Sequence, residues 1–184
     1  MRKAMPSNVR VVRAGISMRG ARERIADVAI SCGLAGGLRD DLPTGTVLIP
    51  RTLRRPDGTN VVCDPQLVES LLTAARRLGH TPIDAPLFTA TALVHGATRK
   101  VLAAEGFAGV DMESGLVDAD RLACVRVILD TPQHEISSAW EKPASVVFHP
   151  SALRDLPFLA REGPRCAALA ASVIAYALSR SEAR

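Results

Sequence analysis

The chain has 184 residues, 47% hydrophobic but only 3% aromatic, with 23 Lys or Arg against 19 Asp or Glu and a net charge of +4. That length suits one domain over residues 1–184, large enough to bury a core without staples. The aliphatic bias points to helices packed on a buried sheet, and a mild, dispersed basic charge with few stacking platforms argues against a nucleic-acid partner.

In chain order, Val9 to Arg13 reads as a short strand, followed by a loop carrying Ser17 and Arg19 and a helical turn or two from Ala21 to Asp27. Val28 to Gly33 is a buried strand running into the small-residue loop Leu34-Ala35-Gly36-Gly37-Leu38, where paired glycines let backbone approach backbone or ligand. Thr46 to Pro50 is a further strand. Arg51 to Val62 is turn-rich, with Pro56-Asp57-Gly58-Thr59 as a β-turn signal that suits a hairpin. Asp64-Pro65 opens a helix, as N-cap and first helical residue, and Gly79 closes it. Thr81 to Leu87 is extended, and Leu93 to Ala104 is helical up to the stop at Gly106. Two apolar strands follow, one ending in Gly109-Val110-Asp111-Met112-Glu113 and the other in Val125-Arg126-Val127-Ile128-Leu129-Asp130. Thr131 to Pro150 is irregular, holds the only tryptophan, Trp140, and is long enough to be a binding loop. Arg165 to Leu178 is an Ala-rich closing helix. Strands alternating with helices make the class α/β with a largely parallel sheet.

The basic start leads into no signal-peptide core, and no apolar run reaches about 18 residues, so no membrane span is expected and the cytoplasm is the expected location. Cys32, Cys63, Cys124 and Cys166 are widely spaced among apolar neighbours and read as free thiols. Neither they nor the histidines show metal-ligand spacing, so no metal is expected.

Three features carry chemistry. Asp111, Met112 and Glu113 stand at a strand end. Alternation puts the two acids on one face, although acids opening a helix would read the same way. Asp130 ends the next strand, where it is either a turn aspartate before Thr131-Pro132 or an acid whose burial raises its pKa. The loop at Gly36-Gly37 is neither a dinucleotide fingerprint nor a phosphate-binding P-loop. Arg13, Arg19 and Arg22 could attract an anion, and His134 and His149 lie in the irregular region; for each, a solvated surface is the plainer reading.

Together, Cys32 to Leu38, Gly45 to Pro50, Val110 to Ser114 and Val125 to Asp130 resemble, in order and setting, the nucleoside phosphorylase/nucleosidase superfamily. That superfamily includes purine nucleoside phosphorylase, uridine phosphorylase and methylthioadenosine/adenosylhomocysteine nucleosidase; within it the chain is most like the bacterial hopanoid-associated phosphorylase-like proteins. The resemblance covers Val9 to Asp130. It implies a three-layer αβα sandwich around a mixed, largely parallel sheet, and cleavage of the N-glycosidic bond of a purine-type nucleoside. Glu113 matches the glutamate that grips ribose hydroxyls, Met112 the methionine packed on the sugar, and Asp130 the acid at the leaving nitrogen of the base. By the same resemblance Gly36 and Gly37 border the sugar, Asp111 adjoins it, Phe88 flanks the base, and Ser17 and Arg19 approach phosphate or the attacking water. Two departures favour water over phosphate: the family's strand and anion loop before Val9 have no counterpart here, and Leu34 stands where relatives often carry a serine. The resemblance implies no cofactor beyond inorganic phosphate as a possible co-substrate, a small-molecule nucleoside or base as partner, and a homo-oligomer. A binding protein that holds a nucleoside or base without cutting it is the alternative.

Overall fold

The computed structural model of the chain describes residues 9–13, 26–141 and 150–181. Ser17, Arg19 and His149 fall outside the described residues.

The first strand, β1, spans Val28–Gly37. It is longer than expected, because the run from Leu34 to Gly37 stays extended instead of looping. Its parallel register with β7 (Arg121–Ile128) runs from Val28 opposite Arg121 to Ala35 opposite Ile128. Gly36 and Gly37 then change partner and pair antiparallel with Val110 and Gly109 of β6 (Gly109–Asp111). Glycine on both sides of this junction lets the backbones meet: a Cβ on Gly109 would lie 3.3 Å from the Gly36 carbonyl oxygen. The segment at 9–13 has no regular structure. A short alternating run gains little without a neighbouring strand, and no described strand pairs with it.

The expected hairpin is present as β3 (Thr52–Arg54) and β4 (Asn60–Val62), paired antiparallel. With β2 (Val47–Leu48) and β5 (Leu87–Thr89) the strands form one seven-stranded sheet in the order β2-β7-β1-β6-β5-β3-β4. The neighbours β1/β7, β5/β6 and β3/β5 are parallel; β1/β6, β2/β7 and β3/β4 are antiparallel. The run from Val47 to Arg54 pairs with β7 at its start and with β5 at its end. Between those points Ile49 N–H donates to Ile83 O at 2.8 Å, so the sheet curls back on itself.

Helix α1 (Pro65–Arg77) begins as expected: the Asp64 side chain accepts from Leu67 N–H at 2.9 Å, and Gly79 at φ +83° lets the chain leave the helix. Arg121 and the Leu67 amide together hold the Asp64 carboxyl down at about 2. Helix α3 (Pro150–Ser181) is far longer than the Ala-rich stretch alone. Pro157 and Pro164 each delete a helical donor, yet Phe158 and Leu159 pack on the same core as Ala170 and Val173, and that burial carries the helix through both prolines. Helices α1 and α3 share the main cluster with Leu48, Val125 and Ile128 of the sheet. Helix α2 (Gly96–Ala104) joins a second cluster through Leu102, with Leu38, Phe107 and Val110. The class is α/β with helices packed on a mixed sheet, as expected. No described helix is long and apolar enough to cross a membrane.

Candidate functional site

The ends of β1, β6 and β7 meet at one cavity of about 200 Å3. Leu34, Ala35 and Gly36 contribute from β1, Asp111, Met112 and Glu113 from the end of β6, and Leu129 and Asp130 from just beyond β7. The segment Ala92 to Val94 with Arg99 of α2 forms another wall, and Ile136 and Trp140 of the late loop form the last. The lining is mostly apolar, so polar groups inside it act in a poorly solvated space.

Asp130 is 4% exposed. Burial pushes its carboxyl above the ordinary range, against the pull of Arg99. Its Oδ2 accepts a hydrogen bond from Arg99 Nη2. The same guanidinium donates through Nη1 to Gly37 O at 2.9 Å and through Nε to Val94 O at 2.9 Å, so Arg99 is fixed by three acceptors. Gly37 N–H in turn donates to Asp130 O at 2.8 Å. A Cβ on Gly36 would stand 3.2 Å from both Asp130 Oδ1 and Arg99 Nη2. Glycine there keeps Oδ1 uncrowded on the cavity side.

The other acid end is built on a second buried arginine. Arg126 Nε donates to Asp111 Oδ2 at 2.7 Å, and its Nη2 reaches Ser31 Oγ at 3.0 Å. Asp111 Oδ1 accepts from Thr89 Oγ1 at 2.9 Å, and Oδ2 also accepts from Ser114 N–H at 3.0 Å. Burial opposes the charge on Arg126, but Asp111 and Glu113 outweigh it and move its pKa up. Glu113 Oε2 lies 3.8 Å from Arg126 Nη2, with its side chain 25% exposed at the cavity. Asp111 thus helps to place Glu113 through Arg126.

This arginine dictates the glycine opposite it. A Cβ on Gly33 would come within 2.3 Å of Arg126 Nη1. The guanidinium has no slack, because Asp111 and Ser31 hold it. Gly33→Ala is therefore expected to cost about 3 kcal/mol, toward the value for breaking a buried ion pair, read as a fall in the denaturation midpoint.

Several expected residues converge and others do not. Asp130, Glu113, Met112, Gly36 and Asp111 all line the cavity. Asp111 spends both carboxylate oxygens on internal partners and so braces the site from within instead of offering a free acceptor. Strand β6 ends at Asp111, so strict alternation does not extend to Glu113. Gly37 lies behind the wall, where its carbonyl holds Arg99. Phe88 packs edge-on against Phe107 at 5.6 Å between centroids and is not among the cavity residues. Arg99 and Arg126 are the residues that motif reading passes over. The four cysteines are free; burial pushes the Cys124 thiol up to about 12, so it stays protonated and inert. Among the described residues no three His, Cys, Asp or Glu side chains are grouped to hold a metal ion.

No protein-family model and no curated protein matches the sequence. Solved structures match the fold. The Neisseria meningitidis 5′-methylthioadenosine/S-adenosylhomocysteine nucleosidase bound to methylthio-immucillin-A superposes with a TM-score of 0.63 at 18% identity, over 84% of this chain and 70% of that one. The Streptococcus pyogenes S-adenosylhomocysteine nucleosidase in complex with 5-methylthiotubericidin gives 0.62 at 15% identity, over 84% and 68%. The Helicobacter pylori futalosine hydrolase gives 0.63 at 15%, over 84% and 68%. The chain therefore shares the fold of these nucleosidases and this hydrolase.

Proposed function

We propose that this cavity binds a purine-type nucleoside and cleaves its N-glycosidic bond with water. The observation that carries this reading is the pair of acids at one mostly apolar cavity. Asp130 is buried with a raised pKa, and Glu113 is half-buried and pre-oriented by Arg126. Glu113 accepts hydrogen bonds from the ribose hydroxyls while Met112 packs on the sugar. Asp130, with Oδ2 committed to Arg99, presents a proton from Oδ1 to the leaving nitrogen of the base. A neutral base leaves more easily than an anion, and the apolar walls keep bulk water from competing for that proton.

Water is favoured over phosphate by the state of the cations. Among the described residues at the site, Arg99 and Arg126 are both already paired, with Asp130 and with Asp111. Among the described residues a phosphate dianion would find no uncommitted guanidinium at the cavity, whereas water needs none.

The test is release of free base from adenosine, inosine and 5′-methylthioadenosine, with and without phosphate. Release at the same rate in both conditions is expected. The Asp130 proton is present below its raised pKa and lost above it, so the rate should fall as pH climbs past the ordinary carboxylate range. An Asp130→Asn variant should lose that falling limb. The Arg99 contact favours ionised Asp130 and so supports a second reading, a protein that binds the nucleoside without cutting it. Saturable binding by calorimetry without base release selects that reading. Neither binding nor release from the panel overturns both.

A further inference from the structure

We propose that Glu135 is a positioning residue for the acid: by sharing the Arg99 cation with Asp130, it lets Asp130 keep the proton that a leaving base takes. This deepens the cleavage reading above and rests on it. Arg99, 4% exposed, stands between two carboxylates. Asp130 Oδ2 accepts from its Nη2, and Glu135 Oε1 lies 3.7 Å from its Nε. The rest of the guanidinium is spent on the neutral carbonyls of Val94 and Gly37. One cation therefore faces two acids. With both acids ionised, the group would carry a net negative charge in a poorly solvated space, which favours a proton on one of them.

Their surroundings decide which acid takes it. The Asp130 side chain is 6% exposed and that of Glu135 is 25% exposed. The two Glu135 oxygens accept from Gly96 N–H at 3.0 and 3.1 Å. That amide opens α2, where the helix dipole favours an anion and the N-cap residue His95 makes no side-chain cap of its own. His95 Nδ1 stands 3.4 Å from Glu135 Oε2; when protonated it competes with Arg99 for the same carboxylate. Asp130 has burial against its charge and Arg99 alone as counter-charge, so the proton settles there. The other charged groups lining the cavity, Asp111 and Glu113, are gathered on Arg126. Elsewhere along the Glu135 loop, His134 stacks on Phe158, Gln133 donates to Asp40 Oδ1, and Ser137 N–H donates to Asp155 Oδ2. Without Glu135, the Arg99 charge would fall on Asp130 alone and draw its proton off, leaving a site that binds without cutting.

The Asp130 carboxyl carbon can be titrated by NMR in isotope-labelled protein without substrate, its resonance being the one absent from Asp130→Asn. Glu135→Gln keeps size and shape, and its amide oxygen still accepts from Gly96 N–H, so the charge goes while the anchor stays. Asp130 is expected to titrate about one pH unit lower in Glu135→Gln than in wild type, the low end of what a charge at this range does. The falling limb of base release should move with it, costing about tenfold in kcat at neutral pH with KM nearly unchanged. Glu135→Asp keeps the charge on a shorter arm and should restore part of the wild-type midpoint; thermal melts establish that both variants fold. An Asp130 midpoint that does not move in Glu135→Gln overturns the proposal even if base release falls, because Glu135 would then only hold the loop. A midpoint that moves in a protein whose wild type releases no base supports the coupling and removes the cleavage reading instead.

Discussion

Asp130→Asn is expected to lower base release by about two to four powers of ten, the contribution typical of a positioned general acid. The substitution keeps size and shape, and the amide oxygen still accepts from Arg99 Nη2, so the three-point hold on that guanidinium survives. What disappears is the transferable proton on the side facing Gly36. Nucleoside affinity should change far less than the rate, because the apolar walls and Glu113 are untouched. Single-turnover base release alongside calorimetry separates the two quantities. A rate within a factor of two of wild type would remove Asp130 from the chemistry.

The largest expected loss of stability follows Asp111→Ala. That change strips Arg126 of its main counter-charge in a site where the arginine is 3% exposed, and it leaves Thr89 Oγ1 and Ser114 N–H without their acceptor. Removing one partner of a buried pair typically costs about 3–5 kcal/mol. For a chain of this length that corresponds to a melting shift on the order of 10 °C. Removing both charges, as Asp111→Leu with Arg126→Met, should recover much of the loss, because no uncompensated charge stays buried. The double variant should nonetheless bind nucleoside poorly, since Glu113 loses the guanidinium that orients it. If the single and double variants melt together, the ion pair is not what holds this end of the sheet.

The framework of the site was legible because its signals are local. Asp64-Pro65 announces α1, and the apolar runs before Asp111 and Asp130 announce the strands that meet at the cavity. The arginines were hidden because one charged residue in a strand or helix ordinarily reads as a solvated side chain. Arg126 did carry a signal: a lone charge inside Val125-Arg126-Val127-Ile128-Leu129 has to find a buried partner, and two acids end the apolar strand that precedes it in the chain. Arg99 had none, since Thr98-Arg99-Lys100 looks like an exposed turn of α2 and only the tertiary approach of Gly37 and Asp130 buries it. Phe88 packs on Phe107 while Ala92 to Val94 after it line the cavity, because a three-residue strand alternates and order along the chain does not say which neighbour faces inward. The length of α3 was obscured by prolines whose cost is offset only by packing on a sheet formed elsewhere in the chain.

The curl of the sheet also governs how the molecule meets other copies of itself. An open sheet offers two raw borders to which a foreign strand can add. Here the run from Val47 to Arg54 covers β7 at one border and β5 at the other. The longest open border lies on β1: it meets β6 only at Gly36 and Gly37, so from Val28 to Ala35 no described strand pairs on its side away from β7. Strand β4 keeps a shorter one, three residues long after a tight turn at Gly58. Among the described residues the curl therefore closes the sheet around the cavity while leaving one long strand edge to which a further strand can add.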